Sequence, residues 1–390
     1  MTEHWKRDTR VIHEGEGASS EALPVSTPIY QTTTFLFESG EAMRRHAEEG
    51  APHYIYSRDR NPTVEAAERK MATLEGAEAA LVFSSGQAAT TATLMGLVSA
   101  GDEVVCSGGI YGGTLRLLRD VLARFGVRTR FVSLDDVREP THVLSNTTRV
   151  VWFETPVNPT LRCVDIRQVA DACRACGVVS VVDSTFASPA NQQPLALGVD
   201  LVMHSASKYL AGHSDLTAGA IAGPHRLVDR VAEVRSLVGG VLDPQAAFAL
   251  ARSLKTLSVR MARHNANAAA VAAFLASHPR VSRVLYPGLA SHPDRDVAER
   301  QMQGFGGMVT FDVDGRLETA LAVYDRLRVF QRAASLGGVE SLCSLPVLTS
   351  QVGYSDEELA RAGVTRGMLR LSVGLEDPDD LVADLAQALG

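Results

Sequence analysis

The sequence predicts an α/β fold, in which a mainly parallel sheet carries helices on both faces and a smaller α+β domain follows. From about residue 76, apolar strand-like runs alternate with amphipathic helical stretches, which is typical of a covered parallel sheet. From residue 226 the pattern becomes mainly helical. The 390 residues allow two or three domains. We predict an N-terminal arm at 1–60, a large domain at 61–255 and a small domain at 256–390.

Composition and charge narrow the classes of partner. Hydrophobic residues make up 45% and charged residues 21% of the chain, close to the usual globular values. The net charge of -7 leaves no basic excess, so we expect no nucleic-acid partner and no anionic membrane. No apolar run reaches the ~20 residues of a membrane span. The start, MTEHWKRDTRVIHEGEG, lacks the apolar core of a signal peptide, and we expect a cytoplasmic protein.

The first 60 residues have the pattern of an extended arm. Pro24, Pro28 and a polar run leave little room for a helix before Phe35, and a first helix is predicted at 41–49. Aromatic and cationic residues then alternate up to Pro62, which is placed to begin a helix. Such an arm packs poorly on its own chain, so we expect it to contact a neighbouring subunit.

A glycine turn between the first strand and its helix is a candidate phosphate site. A strand is predicted at 79–84 and a helix at 88–98, with Ser85, Gly86 and Gln87 between them. Backbone N–H groups at such a helix start, together with the helix dipole, favour an anion. Many α/β proteins carry this turn for structural reasons alone. No dinucleotide or Walker A pattern is present elsewhere.

The next strand–helix pair, at 102–107 and 115–125, encloses four glycines around Tyr111. Loop flexibility would explain the glycines but not the tyrosine among them, which suggests an aromatic face for a flat ligand. Strands are also predicted at 127–133 and 148–154. Asn158 follows the latter between two prolines, as a rigid polar group or a simple turn residue.

Five cysteines show no disulfide spacing, and Cys173 and Cys176 form a CxxC inside a predicted helix at 166–176. No second Cys or His pair stands at the spacing of a zinc site, so no metal is predicted.

Two polar residues follow the next two predicted strands. Asp183 ends the apolar run at 178–185, where α/β sheets bind ligands, although a helix cap is an equal alternative. The next apolar run begins at Val199 and ends at Ser205 and Ser207, and Lys208 follows directly. Only four of the 38 basic residues are lysine, which suggests that a lysine is needed as an amine. Unlike arginine, a desolvated lysine can lose its proton and form a Schiff base. A solvated lysine at a strand end is the alternative.

The C-terminal part contains two further polar features. Arg370 lies in an apolar strand at 368–372, and burying it requires a carboxylate, either internal or from a substrate. The second feature is the glycine-rich segment that runs from Ser335 through Glu340. Helices are predicted at the following positions: 244–256, 258–278, 317–327 and 378–389. A further strand is predicted at 307–313.

Taken together, these motifs resemble the Cys/Met-metabolism family of pyridoxal-phosphate (PLP) enzymes. That family includes cystathionine γ-lyase, γ-synthase and β-lyase, methionine γ-lyase and O-acetylhomoserine sulfhydrylase. The resemblance covers nearly the whole chain and rests on eight motifs in the family's order, namely YSRDRNPT, SSGQAA, YGGT, ETPVNPT, VVDSTF, SASKY, SLGGVES and RLSVGLED. Each motif alone is weak. The resemblance as a whole implies fold-type I of PLP-dependent transferases, with a sheet of seven-stranded type, and a homotetramer built from two close dimers.

The resemblance also implies roles for individual residues. Lys208 would hold PLP as a Schiff base, Asp183 would lie against the ring nitrogen, and Tyr111 would stack on the ring and act as an acid. The phosphate would be held by Gly86, Gln87, Ser205 and Ser207 of one subunit and by Tyr56 and Arg58 of a neighbour. The small-molecule amino-acid substrate would be bound by Arg370, Ser335, Asn158 and, at its distal end, Glu340.

Several positions depart from the family's common pattern. Ser184 stands in place of an asparagine, Ser207 in place of a threonine, and Ser350-Gln351 in place of a Ser-His or Thr-His pair. Gly113 occupies the position where methionine γ-lyases typically carry cysteine. The YGGT form and Glu340 are more similar to the cystathionine enzymes. The resemblance therefore favours cystathionine γ-lyase, with γ-synthase second and methionine γ-lyase still possible. A transaminase or aldolase of this fold, or a non-catalytic module, fits the motif set less well.

Overall fold

The computed structural model describes residues 5–16 and 23–390. Three helices precede the first strand, namely α1 (Arg7–His13), α2 (Gly40–Glu49) and α3 (Pro62–Glu75). Helix α3 begins as the sequence predicts. The Asn61 side chain accepts a 2.9 Å hydrogen bond from the N–H of Thr63, and Pro62 occupies the first turn, where its missing N–H costs nothing.

Helix α1 shows that the prediction of little room for a helix before Phe35 is wrong. Val11 is buried in a core that includes residues of α3, and the Lys70 ammonium of α3 donates to the main-chain carbonyls of Val11, Ile12 and Glu14. A seven-residue helix is too short to be stable alone, so these tertiary contacts stabilise it. Residues 1–4 and 17–22 of the predicted arm lie outside the described residues.

A seven-stranded sheet forms the centre of the larger part of the chain, with the strand order β1-β7-β6-β5-β4-β2-β3. Its strands are β1 (Ala79–Phe83), β2 (Glu103–Ser107), β3 (Arg128–Val132), β4 (Thr148–Glu154), β5 (Val179–Asp183), β6 (Leu201–His204) and β7 (Gly219–Gly223). Strands β2 to β6 pair in parallel, whereas β7 is antiparallel to both of its neighbours. The predicted mainly parallel sheet is confirmed, and β7, which consists mostly of small residues, was not predicted.

Helices cover both faces of this sheet, because successive residues of each strand point to opposite sides. In β4, Trp152 contributes to the core that includes residues of the helix after β1, and Phe153 to the opposite core. The helices are α4 (Gly86–Leu97), α5 (Gly112–Arg116), α6 (Leu134–Arg138), α7 (Ile166–Ala175), α8 (Ser188–Asn191), α9 (His225–Val238) and α10 (Pro244–Leu254). The helix predicted at 115–125 is instead α5 followed by a π-helical turn and a 3₁₀ turn.

A second, five-stranded sheet follows the long helix α11 (Leu257–Ser277), with the strand order β10-β11-β12-β9-β8. Its strands are β8 (Arg283–Leu285), β9 (Met308–Asp312), β10 (Gln331–Arg332), β11 (Leu342–Ser344) and β12 (Met368–Ser372). The accompanying helices are α12 (Arg295–Gln301), α13 (Leu317–Arg326), α14 (Asp356–Arg361) and α15 (Pro378–Leu389). The predicted smaller α+β part is confirmed as architecture, while the boundaries at 60 and 255 stay predictions. In the described ranges, every helix is too short or too polar to span a bilayer.

Candidate active site

The carboxyl ends of the central parallel strands bring the candidate residues together. Strands β4 and β5 end side by side, with Glu154 paired to Asp183 in register, and β6 ends at His204, four residues before Lys208. This edge of an open α/β sheet is where ligands bind. Two acids and one lysine, which lie in separate sequence segments, therefore border one crevice.

Lys208 lies on the turn after β6, and its side chain is partly buried. Its Nζ donates a 3.0 Å hydrogen bond to the hydroxyl oxygen of Ser335, from the second half of the chain. Burial lowers the pKa of Lys208, and the nearby Arg370 guanidinium lowers it further. Both effects favour the neutral amine, which is the nucleophilic form.

Asp183 is buried at the end of β5, and its carboxylate accepts a 3.0 Å hydrogen bond from the N–H of Thr185. Burial raises its pKa, and hydrogen bonds from Thr185 and the charge of His204 oppose that increase. A buried acid of this kind is stabilised in its charged form by a cationic partner.

The start of α4 has the geometry of an anion site. The Ser85 hydroxyl accepts a 3.0 Å hydrogen bond from the N–H of Ala88, while the N–H groups of Gly86 and Gln87 lie in the first turn and have no intrahelical acceptor. A side chain at Gly86 would place its Cβ 3.2 Å from the Cβ and Oγ of Ser205. The turn after β6 therefore packs directly on the start of this helix.

The two serines of this turn differ in their contacts. The N–H of Ser205 donates to the Thr185 hydroxyl at 2.8 Å, and its own hydroxyl has no protein partner in residues 5–16 and 23–390. The Ser207 oxygen instead accepts from the N–H of Ala218 at 2.8 Å and donates to its carbonyl at 3.2 Å. Ser205 is thus the serine whose hydroxyl is available to a ligand.

Arg370 of β12 is buried and binds neutral groups. Its Nη1 donates to the Asn158 side-chain oxygen at 2.8 Å and its Nη2 to the Ser335 carbonyl at 3.1 Å. Its Nε has no partner among the residues that the structure describes. Burial lowers the pKa of Arg370 to about 10, so the group stays charged at neutral pH. An unpaired buried guanidinium N–H next to a crevice fits an incoming carboxylate.

Glu154 is a site residue that the sequence reasoning missed. It is 5% exposed, and its two carboxylate oxygens accept hydrogen bonds from the N–H groups of Asn158 at 2.8 Å and Tyr111 at 3.0 Å. Burial and the Asp183 charge raise its pKa to about 8, against those two donors and Arg370. Its position at a strand end, like that of Asp183, was the available signal.

Tyr111 is half exposed at the start of α5, so its ring is accessible. A Cβ at Gly113 would lie 2.5 Å from both the Tyr111 ring and the Gln87 amide. A Cβ at Gly112 would lie 3.3 Å from the Ser350 carbonyl oxygen. The Ser350-Gln351 segment therefore borders the Tyr111 turn.

The side chains of three predicted site residues make no hydrogen bond or ion pair to this group among the described residues of one chain. The Glu340 carboxylate accepts a hydrogen bond from the Ser214 hydroxyl, on the turn that follows Lys208. Tyr56 and Arg58 lie on the arm, where the guanidinium carbon is 5.0 Å from the Tyr56 ring centroid. Neither arm residue has a hydrogen bond or ion pair to Lys208, Ser205 or Gly86 in the described ranges.

Comparisons with known proteins agree with this geometry. The family model "Cys/Met metabolism PLP-dependent enzyme" matches residues 8–390. The L-methionine gamma-lyase of Pseudomonas putida is 44% identical over 384 residues, which cover 98% of this chain and 96% of that protein. The cystathionine gamma-lyase of Dictyostelium discoideum is 43% identical over 387 residues, covering 99% and 98%. The crystal structure of metB from Corynebacterium glutamicum superimposes with a TM-score of 0.92 at 38% identity, covering 100% and 99%.

Proposed function

This chain belongs to the Cys/Met-metabolism family of PLP-dependent enzymes, and on that premise we propose that it is a cystathionine γ-lyase. Its cofactor is PLP, and the family's chemistry is γ-elimination or γ-replacement on sulfur amino acids. In the proposed reaction, L-cystathionine and water yield L-cysteine, 2-oxobutanoate and ammonia. The observation that carries the proposal is one hydrogen-bonded chain, from Asn158 through Arg370 and Ser335 to the Lys208 amine.

The residues at the strand ends fit PLP by their chemistry. Lys208 would bind the aldehyde carbon, and the buried Asp183 would pair with a protonated ring nitrogen, which supplies the cation that a buried carboxylate lacks. The free N–H groups of Gly86 and Gln87 and the Ser205 hydroxyl would hold the phosphate. Bound PLP supplies an electron sink for negative charge at the substrate α-carbon.

Arg370 would bind the substrate α-carboxylate. Its Nε is buried and unpartnered in the described residues, and Asn158 and Ser335 orient the guanidinium through their contacts with Nη1 and Nη2. A carboxylate at this position would satisfy the buried N–H and neutralise the charge. It would also hold the substrate α-carbon near the Lys208 amine, because Ser335 contacts both Arg370 and Lys208.

Lys208 and Tyr111 would move the protons. The lowered pKa of Lys208 favours the free amine, which can remove protons from the α- and β-carbons of the substrate. The half-exposed phenol of Tyr111 would donate a proton to the leaving sulfur. Glu154 would fix the turn carrying Tyr111 through the N–H of that residue.

Packing at Gly113 supports a cystathionine enzyme over a methionine γ-lyase. A cysteine there, as methionine γ-lyases typically carry, would bring its Cβ within 2.5 Å of the Tyr111 ring and the Gln87 amide. Tyr111 would have to move from its present position. Glu340 would bind the second amino group of cystathionine near the distal end of the substrate. Cystathionine γ-synthase is the second candidate, supported by the 39% identity over 381 residues to the chloroplastic cystathionine gamma-synthase 1 of Nicotiana tabacum.

Three separate substrate assays test this proposal. The holoenzyme is given L-cystathionine, L-methionine, or an O-activated homoserine with cysteine, and 2-oxobutanoate, cysteine and cystathionine are quantified. We expect the highest kcat/KM for 2-oxobutanoate release from cystathionine, and a loss of that preference in Gly113→Cys. Faster cystathionine synthesis, or faster release from methionine, would replace our assignment by the second or third candidate.

We further propose a homotetramer in which the arm completes a neighbour's active site. The arm exposes large apolar side chains, including Val25 and Leu36 at 91% each, which an isolated chain would leave in water. Tyr56 and Arg58 would reach the phosphate of the adjoining subunit. Mixing the inactive variants Arg58→Ala and Lys208→Ala should restore activity, because mixed dimers contain one site with both native residues. Light scattering gives the mass, and mixed assemblies without activity would contradict the shared site.

A further inference from the structure

In the turn that carries Lys208, the carbonyls of the buried residues Tyr209 and Leu210 accept no backbone hydrogen bond from the described residues. Within the turn, the N–H of Lys208 donates to the Ser205 carbonyl at 3.1 Å, and the N–H of Gly212 donates to the Lys208 carbonyl at 2.7 Å. The carbonyls of Tyr209 and Leu210 take part in no such backbone bond, although both residues are buried. Buried carbonyls without donors cost free energy, so another group must satisfy them.

Arg260, in the first turn of α11, supplies the missing donors. Its Nη1 donates to the Tyr209 carbonyl at 2.6 Å, and its Nη2 to the Leu210 carbonyl at 3.3 Å and the Ser253 carbonyl at 2.9 Å. Its Nε donates to the Thr256 hydroxyl at 3.2 Å. The side chain is buried without an ion pair in the described part of the chain. Burial lowers its pKa to about 10, which leaves it charged at neutral pH.

Gly212 makes this approach possible. Its φ of +71° lies in the left-handed region, and a Cβ at this position would overlap Nη1 of Arg260. Turn and guanidinium are therefore fitted to each other at two points, the carbonyls and the glycine.

The same face of α11 also holds the chain that follows Arg370. His264 and Asn267 stand four and seven residues after Arg260, so the three side chains share one face. Nδ1 of His264 donates to the Val373 carbonyl at 2.7 Å, and the Asn267 amide donates to the Gly374 carbonyl at 3.0 Å. One helix thus binds both the turn of Lys208 and the end of the strand that carries Arg370.

We propose that Arg260 is a positioning residue that holds the Lys208 turn on α11 and so sets the Lys208 amine relative to Arg370. This inference rests on the proposed role of Lys208 in the reaction. Arg260 does not contact the reacting atoms. It acts through the main chain next to the lysine, where small displacements of an amine reduce proton transfer strongly.

Variants Arg260→Met and Arg260→Lys test this proposal against Arg235→Met. Arg235, on α9, is an equally buried arginine, 5% exposed against 6%, that binds the Glu68 carboxylate of α3 and the Val82 carbonyl of β1. Amide exchange of residues 206–212 in the protein without cofactor should rise on the order of ten-fold in both Arg260 variants and stay native in Arg235→Met. In the holoenzyme, kcat should fall about ten- to hundred-fold with KM nearly unchanged, and the absorbance–pH midpoint of the bound cofactor should shift.

If Arg260→Met does not fold, Arg260→Lys and Gly212→Ala give the same readouts, since the alanine would push the guanidinium away from the turn. Native exchange at 206–212 together with native kcat in the folded variants would overturn the proposal. The exchange measurement needs neither substrate nor cofactor. A failed cystathionine assignment is therefore distinguishable from a failed role for Arg260.

Discussion

Two lysines in this molecule illustrate what makes an amine available for chemistry. Lys70 is completely buried, and its Nζ donates to the Val11 carbonyl at 2.8 Å and the Glu14 carbonyl at 2.5 Å and pairs with the Glu16 carboxylate at 3.0 Å. Lys208 is partly buried, and Nζ has one partner in the described chain, the Ser335 hydroxyl at 3.0 Å. Both are scarce lysines in an arginine-rich chain, yet their surroundings are opposite.

The difference lies in the neighbouring charges and in how many N–H groups are satisfied. Burial lowers the pKa of both lysines. For Lys70 the Glu16 carboxylate opposes this, whereas for Lys208 the Arg370 guanidinium adds to it. Lys70 therefore acts as a charged structural donor at the end of α1. Lys208 has only the Ser335 hydroxyl as partner in the described chain, and its lowered pKa makes the neutral amine easier to reach.

The largest effect should appear when the activities of alanine variants of these two lysines are compared. Lys208→Ala should lower 2-oxobutanoate release by about three orders of magnitude or more, because in the proposed reaction the amine is both attachment point and base. It should also abolish the visible absorbance of cofactor bound through the lysine. Lys70→Ala should keep the kcat of its folded fraction. Equal losses in both variants would break the comparison.

The unfolding free energy should fall more when Lys70 is replaced than when Lys208 is replaced. Lys70→Met leaves three carbonyls without their donor and removes one of the two lysines that pair with the Glu16 carboxylate, which should cost about 3 kcal/mol of unfolding free energy. Lys208→Met removes a partly buried amine with one hydroxyl partner and should change stability by less than about 1 kcal/mol. Urea unfolding of the cofactor-free proteins measures both. A stable Lys70→Met would mean that α1 does not depend on this contact.

The same contrast explains what the sequence could and could not predict. Lysine scarcity pointed to Lys208 and Lys70 alike, because the contacts of Lys70 depend on a helix 59 residues earlier in the chain. Alternating apolar runs and glycine turns were local signals, so the central sheet and the start of α3 were predicted well. Helix α1 and β7 were not, since tertiary packing rather than local pattern stabilises them.

The site residues that the sequence did not reveal are those whose roles depend on long-range contacts. The strand-end position of Asp183 was readable from an apolar run that closes on an acid. Glu154 has the same position, but its role as acceptor for Tyr111 and Asn158 appears only when the two loops fold together. Arg260 gave no signal, because its two carbonyl partners in the Lys208 turn lie 50 and 51 residues away.

The next effect concerns the buried acid Glu154 and should appear as a pH dependence of the unfolding free energy. The pKa of Glu154 is raised from 4.5 to about 8, so between those values the folded protein holds a proton that the unfolded chain has released. Its contribution to stability is therefore full below about pH 4.5 and is lost as the pH rises to about 8. From pH 5 to pH 8, the cofactor-free wild type should lose about 3 kcal/mol more unfolding free energy than Glu154→Gln. Parallel pH curves would show that Glu154 is already ionised.

The smallest effect should come from the two serines of the Lys208 turn, one with a hydrogen-bonded hydroxyl and one with a hydroxyl available to a ligand. Ser207 exchanges both of its hydrogen bonds with Ala218, whereas the Ser205 hydroxyl has no protein partner in the described ranges. Ser205→Ala should therefore weaken cofactor affinity about ten-fold, the value of one hydrogen bond to a charged group, with little change in the stability of the cofactor-free protein. Ser207→Ala should instead lower that stability by about 1 kcal/mol, because the buried N–H of Ala218 loses its acceptor. Cofactor titration and urea unfolding measure the two quantities. If Ser207→Ala weakens cofactor binding more than Ser205→Ala does, the Ser207 hydroxyl turns from Ala218 to the phosphate when the cofactor binds.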